Sequence, residues 1–115
     1  CNVLIDGETF NSCIYLAGWA EGKHIRTLEG LMGPDGELSD IQKAFIDEAA
    51  IQCGFCTPGF IMSAVELLES GKEYTDDEIR KHLSGHLCRC TGYENILRAV
   101  KKTMYRRLGR EMPIA

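Results

Sequence analysis

Two short stretches, each carrying a close pair of cysteines, restrict the possible folds of this chain more than any other feature. The first reads Gln52-Cys53-Gly54-Phe55-Cys56-Thr57-Pro58-Gly59, the second Leu87-Cys88-Arg89-Cys90-Thr91-Gly92-Tyr93. A chain that uses these four thiols together must bring two distant loops to one point. With Cys1 and Cys13 there are six cysteines, a parity that permits a disulfide framework. Three features oppose that framework. No secretory signal is visible, an apolar content of 44% suffices for a core, and a Cys-x-Cys pair sets its Cβ atoms poorly for a bridge. Metal ligation in a reducing compartment, the cytoplasm, is the expectation.

Thirteen basic residues against seventeen acidic ones leave a net charge of -4, which argues against a nucleic-acid partner. No apolar run reaches the roughly 18 residues of a spanning helix. A length of 115 residues fits one compact domain, or one domain and part of another. The chain starts at Cys1, without Met, in what reads as mid-motif. A truncated N-terminus is therefore expected, and any targeting segment would lie in the missing part.

Val3-Leu4-Ile5 and Thr9-Phe10 read as strands of a hairpin turned by Asp6-Gly7. Cys1 and Cys13 flank it, so their thiols can share a site. Ile14 to Ala20 is expected to be a short helix or turn under the sheet, with Trp19 packed in the core, and His24 to Leu28 a further strand. Gly30 to Gly36 reads as a linker. Ser39 and Gln42 form a capping box for a helix with the stripe Ile41, Ala44, Phe45 and Ala49. Thr57 is expected to cap a second helix with Pro58 at its first position. That helix buries Phe60, Ile61, Ala64, Val65 and Leu68, and Gly71 stops it. Thr75 and Glu78 box a third helix with Ile79 and Leu83 inward. A fourth runs from about Tyr93 to Arg106-Arg107, with Leu97, Val100, Met104 and Leu108 on one side. The two halves share one plan of capped helix, cysteine loop, Thr and helix, and four such helices are expected to form a bundle.

Four thiolates are a soft ligand set suited to zinc, Cu(I) or iron–sulfur clusters. The single-residue gap between Cys88 and Cys90 weakens the zinc reading, because zinc pairs use gaps of two to four. A two-iron cluster takes two thiolates per iron, which two loops can supply. Helices opened by Thr57 and Thr91 would aim their N-terminal amides at the loops and favour an anionic cluster. Gly54, Gly59 and Gly92 would admit backbone N–H groups close to sulfur. His24, His82 and His86 show no ligand spacing, so surface or supporting roles are expected. No Ser-His-Asp set, phosphate loop or carboxylate pair is present, so no catalytic residue is assigned. Lys101, Lys102, Arg106, Arg107 and Arg110 make the C-terminal end basic, the usual mark of a solvated face.

The two motifs, Gln52 to Gly59 and Leu87 to Tyr93, resemble those of the iron–sulfur subunit of molybdenum hydroxylases, the xanthine oxidase family. The resemblance covers essentially the whole chain. Ser12 to Gly30 is similar to bacterial xanthine dehydrogenase small subunits. It implies an α+β chain: a C-terminal four-helix bundle of [2Fe-2S]-binding type at 39–110, preceded by the remnant of a plant-ferredoxin-like β-grasp domain at 1–30, with 31–38 as linker. Cys53, Cys56, Cys88 and Cys90 would hold one [2Fe-2S] cluster. Cys1 and Cys13 would be the third and fourth ligands of a second, incomplete here because its first two ligands are absent. Gln52 matches the residue that hydrogen-bonds the pterin.

The implied partners are a large molybdopterin-binding subunit and an FAD-binding subunit. The implied chemistry is hydroxylation of a substrate carbon with oxygen from water, at the partner's molybdenum. Electrons would then pass singly through this chain to the flavin. Xanthine or another purine is the expected substrate, with aldehyde, carbon monoxide, nicotinate or aromatic acyl-CoA oxidation as alternatives. A stand-alone ferredoxin and a zinc-stabilised interaction module are the competing readings.

Overall fold

The computed structural model describes residues 1–111. Asp6 and Gly7 both take positive φ, 51° and 84°, as a two-residue hairpin turn requires. They join β1 (Asn2–Ile5) to β2 (Glu8–Asn11), with Asn2 opposite Asn11 and Ile5 opposite Glu8. A short β3 (Ile25–Arg26) pairs with the other edge of β1, giving the antiparallel order β2-β1-β3. As the central strand, β1 buries Leu4 completely and Ile5 almost so.

Trp19 departs from expectation: it is 58% exposed. The segment around it breaks into two 3-10 turns, Ser12–Ile14 and Ala17–Ala20, which contribute no buried side chain. Two such turns cannot present one continuous apolar stripe. Phe10, Tyr15 and Trp19 instead stack edge-on, with ring centroids 5.3 and 5.5 Å apart.

Four α-helices follow among the described residues. In α1 (Asp40–Asp47) the Gln42 carboxamide accepts the Ser39 N–H at 2.8 Å, one half of the capping box. The helix is shorter than its apolar pattern suggests. Ala49 lies beyond it at φ 54° and is exposed, and Ala50 fills the core instead. Helix α2 (Thr57–Glu69) closes on Gly71 in the left-handed conformation, φ 73°. Helix α3 (Asp76–His82) has both capping-box bonds, Thr75 N–H to Glu78 at 2.9 Å and Glu78 N–H to Thr75 Oγ1 at 3.3 Å. Helix α4 (Glu94–Arg107) buries Ile96, Leu97, Val100 and Met104.

Polar contacts at the helix ends fix directions. Arg107, ending α4, makes two 2.7 Å bonds to Asp40, which starts α1. At the other end of the pair Asn95 donates to the Ala49 carbonyl at 3.2 Å, so α1 and α4 run antiparallel. Lys101 and Asp76, 3.0 Å apart, tie α4 to the start of α3. With Lys102 on Glu48 and Arg110 on Glu73, most of the basic C-terminal face is matched by the chain's own carboxylates. Leu4 joins Phe45, Phe60, Met62, Ile79, Ile96 and Met104 in a single core, so sheet and helices share their apolar interior. No helix among the described residues is long and apolar enough to cross a membrane.

Candidate metal centre

The first cysteine loop is short and held at both ends. Ala50 N–H bonds the Phe45 carbonyl at 2.8 Å, and Gly54 turns the chain between the cysteines at φ 85°. The cap of α2 is Cys56, not Thr57 as expected; Thr57 is the first helical residue and Pro58 the second. Pro58 still loses nothing, since the second N–H of a helix is also free. The Thr57 hydroxyl oxygen is buried and has no hydrogen-bond partner among the described residues.

The second loop is organised by Thr91 and Tyr93. Thr91 does not cap α4; Tyr93 does, in the left-handed conformation at φ 73°. The Thr91 hydroxyl and N–H both donate to Cys88 Sγ, at 3.2 and 3.4 Å. The Tyr93 hydroxyl accepts the Cys88 N–H at 3.0 Å. The Tyr93 role is not legible locally, because it depends on Gly92 and Tyr93 turning left-handed in succession.

Packing of α2 against the second loop brings the four thiols together as two facing pairs. Cys56 lies on the side of Cys88, and Cys53 on the side of Cys90. Burial, then the hydrogen bond with Cys88, pushes the Cys56 thiol up to about 11. The Thr91 hydroxyl bond draws Cys88 down to about 7. Cys90 is raised first by its hydrogen bond with Cys53. Of the two, Cys88 is the more acidic thiol and Cys56 the less. Cys88 is buried and Cys56 half-buried, whereas Cys53 and Cys90 are exposed; all are free thiols.

Other candidates are more dispersed. Gln52 is exposed, and its amide has no partner among the described residues. The hairpin brings Cys1 and Cys13 to the same end of the sheet, where Ser12 N–H bonds the Cys1 carbonyl at 2.6 Å. Both cysteines are exposed. His86 is half-buried, with Nε2 2.6 Å from Ser63 Oγ and its ring 5.1 Å from that of Phe60. Burial, with His82 nearby, lowers its pKa. Gly59 makes room for this ring, because a Cβ there would lie 2.9 Å from His86 Nδ1. Its small size therefore serves packing against His86. Ser63 also accepts from Asn2 at 3.3 Å, a link between hairpin and loop with no spacing signal in the sequence.

The residues present fit a two-iron cluster. Two facing thiol pairs would supply two sulfurs per iron, each pair drawing one cysteine from each loop. The donors already aimed at sulfur, from Thr91 and from the Phe55 N–H to Cys53 at 3.5 Å, suit anionic sulfur ligands.

Comparison with known proteins agrees. Residues 27–101 match the [2Fe-2S] binding domain family. The xanthine dehydrogenase iron–sulfur-binding subunit of Escherichia coli O157:H7 is 53% identical over 102 residues, 87% of this chain and 64% of that subunit. The nicotine 6-hydroxylase small subunit of Paenarthrobacter nicotinovorans is 52% identical over 100 residues, 87% of this chain and 59% of that subunit. The chain thus spans only about 60% of the length of these relatives. Among solved structures, quinoline 2-oxidoreductase of Pseudomonas putida 86 superposes with a TM-score of 0.86 at 40% identity, covering 98% of this chain and 70% of that one. Aldehyde oxidoreductase of Desulfovibrio gigas gives 0.88 at 34% identity, covering 96% of this chain and 12% of that one. The chain therefore belongs to the [2Fe-2S] binding domain family, among the iron–sulfur subunits of the xanthine oxidase, or molybdenum hydroxylase, family.

Proposed function

We propose that this chain is the electron relay of a multi-subunit molybdenum hydroxylase. Cys53, Cys56, Cys88 and Cys90 hold a [2Fe-2S] cluster, with Cys56 and Cys88 on one iron and Cys53 and Cys90 on the other. The observation that carries this reading is that donors from both cysteine loops already aim at sulfur, the Phe55 N–H at Cys53 and the Thr91 hydroxyl and N–H at Cys88, with Cys56 and Cys90 on the facing sides. Bound there, the cluster supplies one-electron storage. Cys88, whose Sγ already accepts two donors from Thr91, is the readiest ligand, since a thiol must lose its proton to bind metal.

Residues 39–110 form the helical bundle that carries this site. Residues 1–30 are the closing part of a ferredoxin-like domain, joined through 31–38, in which Cys1 and Cys13 complete a second cluster. The exposed, unengaged amide of Gln52 suits contact with a molybdopterin on a large partner subunit, since it offers both donor and acceptor. An FAD-binding subunit takes the electrons. Relatives are subunits of enzymes named for xanthine, nicotine, nicotinate, caffeine and aldehydes. Xanthine or a related purine is the substrate proposed here, chosen by a large subunit in the cytoplasm.

The test is anaerobic purification of the full-length subunit with its partners, followed by iron and acid-labile sulfide assays. Equal iron and sulfide, with two distinct reduced-state EPR signals, is expected; stoichiometric zinc without visible absorbance would sink the reading. Cys88→Ser should abolish one signal and spare the other. Gln52→Ala should leave iron content intact and slow electron transfer from the pterin; unchanged turnover would leave Gln52 no role there.

A further inference from the structure

The Thr57 hydroxyl is the one buried side-chain polar atom among the described residues without a hydrogen-bond partner. An orphan of this kind costs about 1–3 kcal/mol and calls for a physical account. Thr57 is 8% exposed and directly follows Cys56 at the start of α2, a helix of 13 residues. Its back-bond to the carbonyl four residues earlier, the usual resort of a helical threonine, is not made. The second loop holds its counterpart. Thr91 directly follows Cys90, and its hydroxyl donates to Cys88 Sγ at 3.2 Å. Thr57 follows Cys56 and the Thr91 hydroxyl bonds Cys88, so the two threonines stand beside the two less exposed cysteines of the four.

We propose that the Thr57 hydroxyl donates to sulfur on the Cys56–Cys88 side of the cluster and, with Thr91, sets its reduction potential. The inference rests on the cluster reading above. Reduction adds one electron and no proton, so the sulfurs become more negative. A donor to sulfur stabilises that state, and more strongly away from water. Thr57 is a positioning and tuning residue; it is not a ligand.

The test uses the full-length subunit in its complex, with EPR-monitored redox titration. Thr57→Val keeps the shape and removes the donor. It should retain iron and sulfide and lower the midpoint potential of one cluster by about tenfold in equilibrium constant, about 59 mV for one electron. Thr57→Ser should restore the potential. A Val variant with full iron and an unmoved potential overturns the proposal. If Val fails to load iron while Ser loads, the hydroxyl itself is required, in support. If neither loads, Thr57 is only packing and the proposal falls. Zinc in place of iron and sulfide in the unmutated protein would refute the cluster reading itself, whatever Thr57 does.

Discussion

At the scale of single residues, the site depends on small groups that make room or aim a proton. Gly59 lets the His86 ring sit against α2, and that ring is held by Ser63 Oγ at 2.6 Å. A methyl group at 59 meets a pinned imidazole, not a free side-chain end. Gly59→Ala should therefore destabilise the protein by about 1–3 kcal/mol, the usual cost of overpacking. Chemical denaturation checks this, and an unchanged midpoint would mean the ring moves freely. Tyr93 shows a second kind of residue effect. Its left-handed backbone costs strain for a side chain with a Cβ, yet it places the phenol on the Cys88 N–H.

At the scale of elements, the helices are joined by charges suited to their ends. Asp40 sits at the N-terminus of α1 and Arg107 at the C-terminus of α4, each where the helix dipole favours its sign. The Arg107 hydrogen bonds hold the Asp40 carboxyl below its ordinary 3.8. A carboxylate with a depressed folded-state pKa stabilises fully above its unfolded value and loses that contribution as pH falls through the folded one. Both side chains are about one-third exposed, so the pair is screened and Asp40→Asn should cost about 0.5–1 kcal/mol at neutral pH. The difference between the two proteins should shrink below about pH 4. Equilibrium denaturation across pH 3–7 measures it; a difference that grows on acidification would contradict the ion pair. Asp40 and Arg107 lie 67 residues apart, so this contact could not be foreseen from the capping box that starts α1.

At the scale of the whole molecule, a shared core makes hairpin and helices one mechanical body. Leu4, from the central strand, is fully buried among the helical core residues. Leu4→Ala should cost about 2–5 kcal/mol and lower the helical melting transition seen by circular dichroism. A helical transition that stays put would show that the hairpin detaches independently. Asn2 to Ser63 and Arg26 to Glu69, at 3.3 and 2.7 Å, add polar fastening along α2. A fixed hairpin keeps Cys1 and Cys13 at a constant place relative to the helical thiols, as the proposed relay would require.

Sequence by itself determined the features that short-range physics controls. Asp6-Gly7 had to turn, Ser39 and Thr75 had to open helices, Gly71 had to end one, and the apolar stripes of α2 and α4 had to face inward, since each outcome depends on neighbours within a turn or two. The same local reasoning failed where the outcome hung on distant partners. Trp19 stays outside because its segment never forms a regular element. Ala49 yields its core place to Ala50 because α1 stops early, and Thr57 leaves its hydroxyl unpaired because Cys56 takes the cap. That the thiols come in two close pairs is written in the chain. Which thiol faces which was decided only when α2 packed against the second loop, because side chains from separate loops meet through tertiary packing alone.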